Sequence, residues 1–132
     1  GEHVIAEEVE GAIQDAMAEA GGSITEFHVA PQVTPPNGLP YHEWFIEFAE
    51  PPVDLSRFSE AIDQSMMGRN PYYKDLIAGG ILRSVVVTPV ESGGFHRAME
   101  SLGRLGGQNK PPRLANGRDF SDSLTIQTPT NT

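Results

Sequence analysis

Tyr41 to Ala49 reads YHEWFIEFA, and alternation runs through the whole stretch. Trp44, Ile46 and Phe48 fall on one face with His42, while Phe45, Glu47 and Ala49 fall on the other. A period of two carried by aromatic and branched residues is the pattern of a β-strand. Just upstream, Pro31 to Pro40 (PQVTPPNGLP) is turn chemistry throughout, and before that Ile24 to Val29 (ITEFHV) is a second β-rich run. The two runs predict an antiparallel pair joined by a long loop.

Helical patterns flank this pair. Ile5, Val9, Ala12, Ile13, Ala16, Met17 and Ala20 recur at helical spacing, with Glu7 and Glu8 in the first turn and Gly21-Gly22 as the stop. After Pro51-Pro52, Asp54 is placed to cap a helix carrying Leu55, Phe58, Ile62 and Met66, ending at Gly68. The segment NPYYKDLIAGG predicts one short helical turn. Ile81 to Val90 (ILRSVVVTPV) is apolar on both faces around Val85 to Val87, which predicts a central strand covered twice. Ser92 is positioned to cap a last helix with Phe95, Ala98, Met99 and Leu102. The order α-β-β-α-β-α predicts an α+β fold: a small mixed or antiparallel sheet of three to four strands packed with about three helices.

At 132 residues the chain is near the modal size of one domain, and 38% apolar residues can supply its core. Residues 1–120 form the expected domain, and from Ser121 to Thr132 a polar, Thr-rich tail is expected to be mobile. With no cysteine, disulfides and thiolate metal sites are excluded. A net charge of −9 repels phosphate backbones and anionic lipid, so neither nucleic acid nor membrane is an expected partner. No apolar run reaches the roughly 18 residues of a bilayer span, and a cytoplasmic location is the expectation.

Neither common phosphate cradle, GxxxxGK[ST] or GxGxxG, is present, nor are GxSxG and HExxH. The histidines at 3, 28, 42 and 96 lack ligand spacing, and no metal site is expected. The one pairing weighed is His28 with His42 across the two strands, helped by Glu26 or Glu43; ordinary sheet histidines explain these residues as well. Glu7/Glu8 and Glu47/Glu50 read as helix-start charge and strand-edge solvation. Trp44, Phe45, Phe48 and Phe58 read as core.

The unusual stretch is Leu105 to Phe120, LGGQNKPPRLANGRDF. Arg104, Lys110, Arg113 and Arg118 put four of the nine cations within 15 residues, a density that suits one small anion better than a polymer. Pro111 disfavours helical geometry at Lys110 and Pro112 extends the constraint, so Lys110 sits on a stiffened, extended arm. Lys110 is one of only two lysines, and Gln108, Asn109 and Arg113 beside it are hydrogen-bond donors. On local chemistry alone, a loop lysine is usually just solvated.

The stretch RLGGQNKPPRLANGRDF closely resembles the C-terminal signature of the auxin-responsive Gretchen Hagen family of acyl-acid amido synthetases, in particular its bacterial type, within the adenylate-forming ligases. GEHVIAEEV, SITEFHVAP, YHEWFIEF, NPYYKDL and VESGGFHRAM match in the same order, so the resemblance covers about residues 1 to 120. Asn109 and Pro111 depart from the usual pattern and leave Gln108, Lys110 and Arg113 in place.

The resemblance implies that residues 1–120 are a C-terminal lid domain. An N-terminal adenylation domain of the same chain would be its partner and would hold most of the ATP and Mg. The implied reaction activates a carboxylic acid with ATP and conjugates it to an amino acid. It further implies Lys110 as the catalytic residue, with Gln108 and Arg113 contacting substrate or nucleotide. The isolated domain is then expected to be inactive. The alternative is a stand-alone α+β module that binds a small anion or regulates a partner.

Overall fold

The computed structural model describes residues 4–103 and 110–127. In chain order these form α1 (Ala6–Ala20), β1 (Ser23–Gln32), β2 (Tyr41–Glu50), α2 (Leu55–Arg69), α3 (Pro71–Ala78), β3 (Val86–Pro89) and α4 (Gly94–Ser101), with a 3₁₀ turn at Ser121–Ser123. The expected α+β class holds.

β1 and β2 pair antiparallel, with Phe27 opposite Ile46, His28 opposite Phe45 and Val29 opposite Trp44. β3 runs parallel to β2, placing Val87 beside Trp44, because α2 and α3 form the crossover between them. The sheet order β1-β2-β3 corrects one expectation: the central strand is β2, and the Val-rich run is a four-residue edge strand. Pro89 lacks an amide to donate to a further strand, which suits an edge position. The double cover belongs to β2, whose Trp44, Phe45 and Ile46 are all buried.

One face of the sheet packs Phe27, Val29, Trp44 and Ile46 against Val9, Ile13 and Ala16 of α1 and Phe58, Ile62 and Met66 of α2. The other face packs Ala30 and Phe45 against Phe95, Ala98 and Met99 of α4, with Val90, Phe120 and Leu124 closing that side. Each large side chain so buried contributes about 1.5–3 kcal/mol.

Local chemistry sets the helix boundaries. Asp54 caps α2 as expected, accepting the Arg57 amide at 3.2 Å. NPYYKDLIA forms a full helix rather than one turn: the Asn70 side chain accepts the Tyr73 amide at 2.8 Å and Pro71 occupies the first turn. Asn70 also donates to Glu8 at 3.0 Å, tying the starts of α1 and α3 together. The cap of α4 is not Ser92. The N-cap is Gly93 at φ +82°, a conformation that favours glycine, and the side chain serving its amides is Glu47 of β2. A Cβ on Gly94 would lie 2.4 Å from Val90 Cγ1, so α4 approaches the sheet end closely only with glycine there.

Of the segment 121–132, residues 121–127 are described. Ser121 and Leu124 are buried. The Glu91 amide donates to Thr125 O at 2.9 Å, and the Gln127 amide donates to Pro89 O at 3.0 Å. Among the described residues, no helix is long and apolar enough to cross a membrane.

Candidate functional site

The segment around Lys110 lies along the free edge of β1. The Val29 amide donates to Arg113 O at 2.9 Å and the Ala115 amide donates to Val29 O at 3.0 Å, a parallel bridge centred on Leu114. One residue back on β1, His28 Nδ1 lies 2.6 Å from Pro112 O. A carbonyl only accepts, so Nδ1 carries the proton. The arm is thus a rudimentary fourth strand fixed from Pro112 to Ala115. Pro111 and Lys110 lie ahead of the last anchor.

His28 is fully buried, with its ring 4.8 Å from that of Phe120 and 6.3 Å from that of Phe45. Burial pushes its pKa down; the hydrogen bond to Pro112 opposes this, and the positive charge of Arg118 reinforces it. Its Nε2 has no hydrogen-bond partner among the described residues, nor has Trp44 Nε1. His42 lies opposite Pro31 and stacks on Tyr73, on the face covered by α1 and α2, whereas His28 faces Phe120. The two histidines therefore occupy opposite faces, and the pairing weighed as a metal site does not form. No group of three or more His, Asp or Glu able to hold a metal occurs among the described residues.

The cation-rich segment is not a free patch. Arg113 Nε lies 3.2 Å from Glu26 and its Nη1 3.4 Å from Glu10, with the guanidinium 5.0 Å above the Phe27 ring. These exposed pairs are individually weak, but together they brace the arm against β1 and α1. Arg118 Nη2 donates to Glu43 at 2.8 Å and packs over Phe45, while the other Glu43 oxygen accepts from Thr88. Lys110, by contrast, is exposed and makes no ion pair or hydrogen bond among the described residues. Arg104 and Gln108 lie outside the described residues. Sequence reasoning missed His28 and Glu43 as partners of this segment. The alternation of β1 and β2 signals that both are strand residues, but not what they face.

Beside the arm a groove of about 460 Å³ is lined by Val29, Pro31, Val33, His42, Tyr72, Leu114, Ala115 and Asn116. None of these carries a charge at pH 7, since burial holds the His42 pKa at about 4. The groove therefore carries no positive charge to set against a phosphate, and among the described residues of the arm the cation without an ion pair is Lys110.

These features define a class: an α+β domain with its sheet covered on both faces and an exposed lysine presented by an arm anchored to the sheet edge. The GH3 family C-terminal domain matches residues 7–119, and the chain belongs to that family. This bears out the Gretchen Hagen resemblance. Among solved structures, the chain is similar in fold to a GH3.15 acyl acid amido synthetase, with a TM-score of 0.73 and 14% identity over 92% of its length. It is likewise similar to an AtGH3.15 acyl acid amido synthetase in complex with 2,4-DB, with a TM-score of 0.71 and 13% identity over 92%. In both cases it spans 24% of the other chain. No curated protein matches it in sequence.

Proposed function

We propose that this domain is the lid of an ATP-dependent ligase that activates a carboxylic acid and conjugates it to an amino acid, with Lys110 as the catalytic cation. The observation that carries the reading is the contrast within the arm. Arg113 and Arg118 are paired with carboxylates, whereas Lys110, just ahead of a three-point backbone anchor, is exposed and makes no ion pair among the described residues.

The residues fit such a role and limit it. Without a glycine-rich phosphate loop in the chain, most contacts to ATP and Mg fall to an N-terminal adenylation domain of the same chain. ATP supplies the phosphorus that a substrate carboxylate oxygen attacks, with pyrophosphate as leaving group. Lys110 places a point charge where negative charge builds during that displacement, and closure of the lid excludes water. An amino acid's amine then takes the acyl group and AMP departs. Gln108 and Arg113 serve as contacting groups; Arg113 reaches a substrate only by leaving Glu10 or Glu26.

The family membership and the fold likeness to acyl acid amido synthetases support this reading over a stand-alone anion sensor. So does the pairing of two of the four clustered cations with carboxylates of the domain itself. The test is acid-dependent exchange of labelled pyrophosphate into ATP by the protein carrying this domain together with its adenylation domain. Exchange that requires both acid and lid supports the reading. ATP binding by this 132-residue chain alone at micromolar concentration supports the sensor instead.

A further inference from the structure

We propose that His28 is the positioning residue of the arm: its Nδ1–H holds the Pro112 carbonyl and so fixes the direction in which Lys110 leaves the sheet edge. This rests on the reading of Lys110 given above.

Among the described residues, three hydrogen bonds join β1 to the backbone of the arm, and the one from His28 is nearest to Lys110 in sequence. Pro111 and Pro112 have no amide hydrogen, so this end of the arm cannot donate to the strand as Ala115 does. It can only accept, and for the Pro112 carbonyl the donor is the His28 side chain. His28 donates from a fully buried position between Phe45 and Phe120. The aromatic packing restricts the ring, and the stiff prolines carry its placement on toward Lys110. The histidine is an unexpected choice for packing alone, because its buried Nε2 lone pair has no partner among the described residues. Phenylalanine would fill the same space without that cost. The donor at Nδ1 is what phenylalanine lacks.

Two substitutions separate donor from packing. His28→Phe keeps a ring and loses the donor; His28→Asn loses the ring and keeps a donor near the Nδ1 position. In the 132-residue chain, amide exchange at Val29 and Ala115 is expected to quicken about tenfold or more in His28→Phe, with the Ile13 and Ile62 amides unchanged, and to stay nearer the wild-type rate in His28→Asn. The reverse order overturns the proposal. A second measurement needs no variant: the wild-type imidazole should show a slowly exchanging Nδ1–H coupled through the hydrogen bond to the Pro112 carbonyl. An Nε2–H tautomer overturns the proposal even if both variants fail to fold.

In the protein carrying the adenylation domain, His28→Phe is expected to lower kcat for adenylation with little change in KM for ATP, and to add little in a Lys110→Ala background. Additive losses overturn the positioning role. If Lys110→Ala is itself silent while the exchange contrast holds, the catalytic reading of Lys110 fails and the anchor stands.

Discussion

The carboxylate of Glu47, on the central strand, accepts the amide of Gly93 at 2.9 Å and so caps a helix 46 residues further along the chain. Its other oxygen takes the Phe95 amide at 3.2 Å. A negative charge here also faces the positive end of the α4 dipole. Glu47 is only 6% exposed, so solvent does not replace it easily.

Replacing Glu47 with alanine leaves two helix amides without their partner and opens space under α4. The expected cost is about 2–3 kcal/mol, read as a lower urea midpoint at unchanged slope. A loss below about 0.5 kcal/mol would mean the carboxylate is replaced by water at no penalty.

The pH dependence of stability follows from His42. It is buried against Tyr73, and burial lowers its pKa from 6.5 to about 4, with nearby Asp63 pulling only partly back. Between those values the unfolded chain binds a proton that the folded chain does not. Stability from this group is therefore present above pH 6.5 and is lost as pH falls toward 4, by about 3 kcal/mol over the whole span. His28 acts with the same sign. His42→Phe keeps a ring against Tyr73 and removes the titration. Urea melts between pH 4 and 7 should show a slope shallower than wild type by about one proton, and an unchanged slope would mean that His42 titrates at its ordinary pKa.

How much of this was legible in the sequence depends on how local each determinant is. Helical spacing alone marks α1 and α2, and Asp54 is legible as a cap because its partner is three residues away. The Asn70-Pro71 pair carried an equally local signal for α3 that the single-turn reading undervalued. The place of β3 is not legible, because three consecutive valines look doubly buried, while the residues with that property are Trp44, Phe45 and Ile46 of β2. The burial of Glu47 and the docking of the arm beside His28 depend on partners 46 and 84 residues away, which periodicity does not encode. The composition of its segment and the family resemblance single out Lys110; that it has no partner among the described residues is visible only in the structure.

The segment after Phe120 packs into the fold. Truncation there removes the burial of Leu124 and the hydrogen bonds of Thr125 and Gln127 to the strand region. Those losses predict about 2–4 kcal/mol of destabilisation, a fall in Tm on the order of 10 °C. An unchanged melt would show that residues 121–127 add nothing and that the stable unit ends at Phe120.

The sharpest prediction concerns Lys110 in the protein that carries both domains. If its charge is needed while pyrophosphate departs, Lys110→Ala should slow pyrophosphate release by roughly 10²-fold or more. Stability should not change, because the side chain is exposed and makes no ion pair or hydrogen bond among the described residues. Amide formation from pre-made acyl-adenylate should be far less affected, since that step needs a free amine rather than compensation of a departing polyphosphate. Lys110→Arg should restore only part of the rate: a planar guanidinium spreads its charge and does not reach the same point from a stiff arm. Adenylation that survives Lys110→Ala while amidation collapses would transfer the role of Lys110 to the second step. If both half-reactions are unchanged, Lys110 is a solvated lysine and the catalytic cation lies elsewhere.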